Sequence, residues 1–172
     1  RLPQGLKDTL RLLWERYQIT LTQLKETSNA KAAVVRQVEP CKRLLAIESV
    51  GEVCAAMLYA NIGDGKEFKN GREASACIGL TPKQHSSGGK TNMMGINKKG
   101  GNKELRTALY QGALSVISRL PAEPKTVKQA WLIELVKRAG VKRACIALAN
   151  KTVRTAWALL ATGDSYQPIL IN

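Results

Sequence analysis

The chain has 172 residues, with 27 Lys and Arg against 13 Asp and Glu, a net charge of +14 and a pI near 9.9. A chain of this length buries about 70% of its unfolded surface, enough for one sizeable core or two small ones. The cationic excess points to a polyanionic partner, because neutralising phosphates releases counterions; an anionic membrane fits less well, since Trp14, Trp131 and Trp157 are scattered rather than gathered on one basic amphipathic face.

The chain begins at Arg1 with no apolar run near its start, so neither a signal peptide nor a membrane anchor is expected, and the start reads as a cut in a longer protein. Residues 6 to 35 hold no proline and place Leu6, Leu10, Leu13, Tyr17, Leu21 and Leu24 at steps of three or four. This spacing predicts one long helix with an apolar stripe. At 1.5 Å per residue it extends about 45 Å, too far for a small core to cover, so residues 1–39 are expected to pair as a coiled coil in a homodimer or higher oligomer. Folding back onto its own domain is the alternative.

Residues 40–172 are expected to form a helical domain. Cys41 to Asn61 reads as helix, tight turn and helix, with the turn at Glu48-Ser49-Val50-Gly51. The spacing of Leu44, Ile47, Val50, Val53 and Ala55 resembles a helix-hairpin-helix, whose turn backbone N–H groups face DNA phosphates, so Ser49, Val50 and Gly51 are candidate DNA contacts. Glu48 and Glu52 flank the turn and weaken such a contact, and an ordinary helical hairpin remains open. Three further helices follow: Leu105 to Val116, ended by Pro121 and Pro124; Val127 to Leu135, stopping at Gly140; and Ala144 to Leu159, stopping at Gly163. These stripes predict an all-α fold, with a short strand near Ala76 to Leu80 as an alternative.

Four cysteines, Cys41, Cys54, Cys77 and Cys145, lack paired spacing and have only His85 as a further soft ligand, so no metal site is expected in this chain. They read as small core residues in a reducing, cytoplasmic setting.

The chemically loaded stretch is Thr81-Pro82-Lys83-Gln84-His85-Ser86-Ser87-Gly88-Gly89-Lys90-Thr91, followed by Gly95-Ile96-Asn97-Lys98-Lys99-Gly100-Gly101-Asn102. Gly89-Lys90-Thr91 matches the end of a phosphate-binding P-loop, but Gln84 stands where that motif needs glycine, which disfavours ATP binding. A serine nucleophile for phosphoryl transfer needs close backbone approach and cations. Ser87 stands before Gly88 and Gly89, and Lys83, Lys90, Lys98, Lys99, Lys103 and Arg106 face a single acid, Glu104. His85 is a possible proton acceptor, although a lone His in a polar loop is more often solvated. By spacing alone the stretch reads better as a Gly-rich, phosphate-binding linker without chemistry, expected to be mobile without nucleic acid.

From about Leu44 to Leu109 the chain resembles the C-terminal transposase domain of the Piv/MooV type, found in the one-ten family of insertion sequences. The matching residues are Ile47 to Gly51, Ile62-Gly63-Asp64, Phe68, Gly79-Leu80-Thr81-Pro82, Ser87-Gly88-Gly89-Lys90, Gly95-Ile96, Lys99-Gly100, Asn102 and Leu105-Arg106. The resemblance implies that Ser87, with Ser86 as alternate, attacks a DNA phosphate to form a transient phosphoserine link. It implies a composite active site whose Mg²⁺-binding carboxylates lie on an N-terminal RuvC-like half absent here, joined by the coiled coil. It further implies DNA and a structured guide RNA as partners, and a fragment that binds DNA without cutting it. Asp64 and Glu67 are expected to be ion-paired rather than metal-bound. A non-catalytic DNA-binding module is the competing expectation.

Overall fold

The computed structural model describes residues 2–87, 90–96 and 100–171, and gives the backbone alone for 83–87 and 90–94. Within these residues the chain is all-α apart from one small hairpin: α1 (Gln4–Gln37), α2 (Glu39–Leu45), α3 (Glu52–Ile62), α4 (Gly71–Ile78), β1 (Pro82–Ser87), β2 (Lys90–Ile96), α5 (Lys103–Ile117), α6 (Val127–Ala139) and α7 (Val141–Thr162).

Helix α1 runs unbroken for 34 residues, about 50 Å. Its C-terminal end packs against α2 and α3, and Val35 is its one buried residue. The apolar stripe ahead of that point is open to solvent within the single chain: Leu13 is 60% exposed, Trp14 61% and Leu24 61%. The helix ends at Gln37 because Val38 is extended, and Pro40 opens α2 at a first-turn position where its missing N–H costs nothing.

Helices α5 and α7 form the spine. Leu105 and Leu109 of α5 join Ala149, Val153, Ala156, Leu159 and Leu160 of α7 in a larger core with Leu44, Ile47, Leu58, Ile78 and Leu80. Farther along, Ala113 and Ile117 of α5 meet Ala144, Cys145 and Leu148 of α7 and Leu132 and Leu135 of α6 in a smaller core. The same two helices therefore tie both cores together. Thr126 and Gln129 close a capping box at the start of α6, and Gly163, left-handed at φ 79°, stops α7. The tail beyond α7 turns back so that Val127 N–H donates to Ile169 O and Ile171 N–H to Lys125 O.

Residues 76–80, an alternative strand by sequence, complete α4 and its cap instead. Gly79 adopts the left-handed conformation, Leu80 N–H bonds back to Ser75 O, and Leu80 is buried. The stretch expected to be an irregular linker contains paired strands: Pro82 opposes Ile96, His85 opposes Asn92 and Ser87 opposes Lys90, antiparallel, with an irregularity between Pro82 and Gln84.

Between α2 and α3 the chain makes the expected turn, and α5 is pressed against it. A Cβ added at Gly112 would lie 2.0 Å from Ser49 O. Helix propensity alone predicts that Gly112→Ala stabilises the protein by up to about 1 kcal/mol. The close approach predicts the opposite sign, a loss of about 2–3 kcal/mol from forced separation of α5 and the turn. A lower urea midpoint at unchanged slope is expected; a raised midpoint contradicts the packing described.

Candidate functional site

The hairpin β1–β2 leaves and rejoins the helical domain at the C-terminal end of α4. Ile78 O, the last carbonyl of that helix, accepts from Arg106 Nη1 of α5 at 3.0 Å, and the same guanidinium nitrogen donates to Gly100 O on the returning strand side. Gly101 lies flat on this carbonyl: a Cβ there would sit 2.2 Å from Ile78 O, and its φ of 74° favours glycine as well. Asn102 caps α5 by accepting from Leu105 N–H at 2.9 Å, and its amide donates to Asn61 Oδ1 of α3 at 3.2 Å. On the outgoing side, Asn150 of α7 donates to Leu80 O at 3.4 Å. Between them, the two feet of the hairpin are thus fastened to four helices, α3, α4, α5 and α7. From Pro82 to Ser87 the ladder extends about 17 Å, with the Ser87–Lys90 pair at its far end.

Of the residues named from sequence, Gly88, Gly89, Lys98 and Lys99 lie outside the described residues, and Lys83, His85, Ser86, Ser87 and Lys90 are described by backbone only. Lys103 is exposed at the first turn of α5. Arg106, named as a DNA contact, directs its guanidinium at backbone carbonyls of the hairpin base.

The α2–α3 turn divides its candidate residues. Ser49 is buried, and its hydroxyl shares a 2.7 Å hydrogen bond with Thr152 Oγ1 of α7; Val50 is buried, and its N–H donates to Ile47 O. Gly51 is exposed at the N-cap of α3, with no side chain capping that helix. Both flanking acids are engaged. Glu52 pairs with Arg36 of α1 at 2.7 Å, and Glu48 pairs with Lys128 of α6 at 2.5 Å. Tyr166 of the tail donates its hydroxyl hydrogen bond to Glu48 at 3.2 Å, while Lys128 both contacts that hydroxyl and lies 4.7 Å from the ring centre. These partners are 80 and 118 residues away in sequence, so no local signal announces them.

Asp64 is held by Lys66 at 2.8 Å, which keeps its carboxyl below the ordinary aspartate range, whereas Glu67, expected to be ion-paired as well, is in none of the ion pairs among the described residues. Among the described residues no group of three or more His, Cys, Asp and Glu is placed to hold a metal ion. Cys54 is buried and its thiol is pushed up to about 12 by burial, while burial also raises Cys41 and Cys145, so these thiols are neutral core groups; Cys77, read from sequence as a core residue too, is instead exposed on α4. Among the described residues no helix is long and apolar enough to cross a membrane.

Partial burial alone would raise the Glu48 carboxyl, but the hydrogen bond and charge of Lys128 outweigh it and lower the pKa. A carboxylate with a depressed folded pKa contributes stability above its unfolded pKa and loses it as pH falls through the folded one. Glu48→Gln is therefore expected to cost about 1 kcal/mol at pH 7, modest because the side chain is 41% exposed. That gap should begin to narrow as pH falls below about 4, where an ordinary glutamate protonates, and close only at lower pH, once the folded carboxyl protonates as well. Urea unfolding of both proteins at neutral and acid pH checks this; a gap independent of pH contradicts it.

Comparison with known proteins places the chain. Residues 41–129, which include the α2–α3 turn, the hairpin and α5, match the sequence model of the Transposase IS116/IS110/IS902 family. The chain is 43% identical over 136 residues to the transposase for insertion sequence element IS1111A of Coxiella burnetii, covering 78% of this chain and 36% of that protein. It is 36% identical over 166 residues to the putative transposase y4pF/y4sB of Sinorhizobium fredii, covering 96% and 43%. A pilin gene-inverting protein of Moraxella bovis is 30% identical over 118 residues, covering 68% and 35%. The chain thus spans less than half the length of these relatives. With its matched segment running from α2 through the hairpin and α5, the chain belongs to the Transposase IS116/IS110/IS902 family.

Proposed function

We propose that the chain is the DNA-gripping and nucleophile-bearing part of a transposase that cleaves and exchanges DNA strands, with Ser87 as nucleophile and Ser86 as its alternate. The observation that carries this reading is the hairpin: its feet are fastened to α3, α4, α5 and α7, while the Ser87–Lys90 backbone pair lies at the end of the ladder away from them. Lys83, Gly88, Gly89, Lys90, Lys98, Lys99 and Lys103 approach the DNA backbone around it. Arg106 acts through the hairpin base that it holds.

In this reading the Ser87 hydroxyl attacks a backbone phosphorus in line. A P–O bond to Oγ forms as the bond to one deoxyribose oxygen breaks; the hydroxyl proton passes to a base and the departing oxygen takes a proton. The phosphodiester count is conserved, so a deoxyribose hydroxyl reverses the step and joins strands without ATP. Flanking cations stabilise the charge that develops on the phosphoryl oxygens. The resemblance implies that carboxylates able to bind Mg²⁺ belong to a RuvC-like half; Asp64 of this chain is ion-paired with Lys66. The isolated chain accordingly binds DNA and does not cut it. A structured guide RNA, implied by the same resemblance, is compatible with the charge of +14.

A non-catalytic helix-hairpin-helix clamp is the second reading, favoured by the exposed Gly51 at the uncapped start of α3. Binding experiments do not separate the two, because both predict salt-sensitive affinity. Covalent capture does. In the full-length protein, Ser87→Ala is expected to abolish strand cleavage and the protein–DNA adduct while DNA affinity stays within about threefold, roughly 0.7 kcal/mol. An adduct formed by that variant sinks the assignment to Ser87.

Residues 1–39 are proposed to join copies of the protein through the stripe of Leu6, Leu10, Leu13, Tyr17, Leu21 and Leu24, which the single chain leaves exposed. Sedimentation of the chain should show a dimer at micromolar concentration; a monomer at high concentration contradicts the proposal.

A further inference from the structure

A groove of about 660 Å³ lies between the N-terminal end of α4 and the second half of α7. Asn70, Gly71, Arg72, Lys151, Arg154 and Trp157 contribute to its lining. Arg72, Lys151 and Arg154 are all exposed, and none of the ion pairs among the described residues involves them. The acid on the same turn is occupied elsewhere: Glu73 Oε2 accepts Lys69 N–H at 2.8 Å. The N–H groups of Arg72 and Glu73 are also taken, both by Asn70 Oδ1 at 3.0 Å, so the groove's attraction for an anion comes from its side chains rather than from the helix end.

The walls are held close. A Cβ added at Gly71 would lie 3.0 Å from the Arg154 Cα, so α4 begins directly on α7 and the two arginines rise from adjoining walls. Trp157 is fixed by its indole N–H, which donates to Gly65 O at 3.0 Å. Lys151 Nζ lies 5.4 Å from the centre of the Trp131 ring, an attraction that steadies the long side chain without neutralising it.

The groove also has a defined position relative to the hairpin. Asn150 of α7 meets Leu80 beside the hairpin's foot, and Arg154 meets Gly71 at the other end of α4, so the two helices run antiparallel. Lys151 stands between these points. The groove and the hairpin's foot are thus separated by about 12 Å along α4 and about 6 Å along α7.

We infer that this groove is a second phosphate-backbone site, in which Arg72, Lys151 and Arg154 seat the sugar–phosphate chain of duplex DNA. The inference rests on the DNA-transposase reading above and adds a site to it. Interactions of this kind position the duplex and carry no base sequence, so the groove sets register for the hairpin rather than choosing the target.

The test compares two triple variants of the full chain on a mixed-sequence DNA duplex and on an RNA hairpin over a salt series. Arg72→Gln with Lys151→Gln and Arg154→Gln removes the groove's charge; Arg138→Gln with Lys142→Gln and Arg143→Gln removes the same charge from the exposed α6–α7 junction. Matching thermal midpoints establish that both fold. For the groove variant, the slope of log K against log salt on DNA should become shallower by about 2 to 3, near 0.9 for each phosphate no longer neutralised, with affinity falling equally across sequences. The junction variant should stay within about 1 of the parent. Equal changes in the two variants, an unchanged slope in the groove variant, or a change confined to RNA each overturn the inference. Absence of salt-dependent DNA binding by the parent chain instead overturns the broader reading on which it rests.

Discussion

The carbonyl of Ile78, at the last turn of α4, is where the helical domain takes hold of the segment that carries the proposed nucleophile. It is met by the Arg106 guanidinium on one side and covered by the Gly101 backbone on the other. A helix C-terminus carries partial negative charge and unsatisfied carbonyls, so a cation that bonds there satisfies both demands. Hydrogen bonds to charged groups of this type contribute about 1.5–3 kcal/mol. The need is real, because an isolated two-stranded hairpin is marginally stable at best in water. Fastening at both feet substitutes for a third strand. Everything proposed for Ser87 depends on that fastening, since a nucleophile must be held near its target to within fractions of an ångström.

Behind the fastening stand two cores joined by α5 and α7, with the Ser49–Thr152 hydrogen bond buried at the place where the α2–α3 turn meets α7. The acids nearest that turn are drawn into ion pairs with Arg36 and Lys128. Such neutralisation leaves the remaining Lys and Arg to dominate the field at the surface, including Arg72, Lys151 and Arg154. The molecule's excess of positive charge is thereby organised by its packing, and the acids that flank the turn do not repel a phosphate with their full charge.

Elements built on apolar periodicity are legible in the sequence. The stripe from Leu6 to Leu24 predicts α1, and Gly140 and Gly163 mark the ends of α6 and α7, because helix amphipathicity and glycine caps are local signals. The hairpin is not legible, since Pro82-Lys83-Gln84-His85-Ser86-Ser87 lacks alternation and β-branched residues; its one local signal is the Gly88-Gly89 pair between two short runs. Nor can spacing reveal that Ser49 faces inward to Thr152, or that Arg106 serves the Ile78 carbonyl, because each partner lies far along the chain. Lys151 and Arg154 stand out in the sequence only as part of a basic run on α7, and Arg72 not at all, as its proximity to Arg154 exists only once α4 and α7 pack at Gly71. The family resemblance carries what these residues alone leave open, the choice between a phosphate-binding linker and a nucleophile.

The central claim is that one hydroxyl near the end of the hairpin becomes bonded to a DNA phosphorus. Trypsin releases residues 84–90 as one peptide, in which Ser86 and Ser87 are the only hydroxyl side chains. The decisive measurement is fragment-ion mass spectrometry of that peptide from wild-type full-length protein trapped on a nicked DNA substrate and digested with nuclease. The account predicts a phosphate-linked nucleotide remnant on Ser87. A peptide free of phosphate, recovered alongside a modified residue elsewhere in the protein, contradicts it.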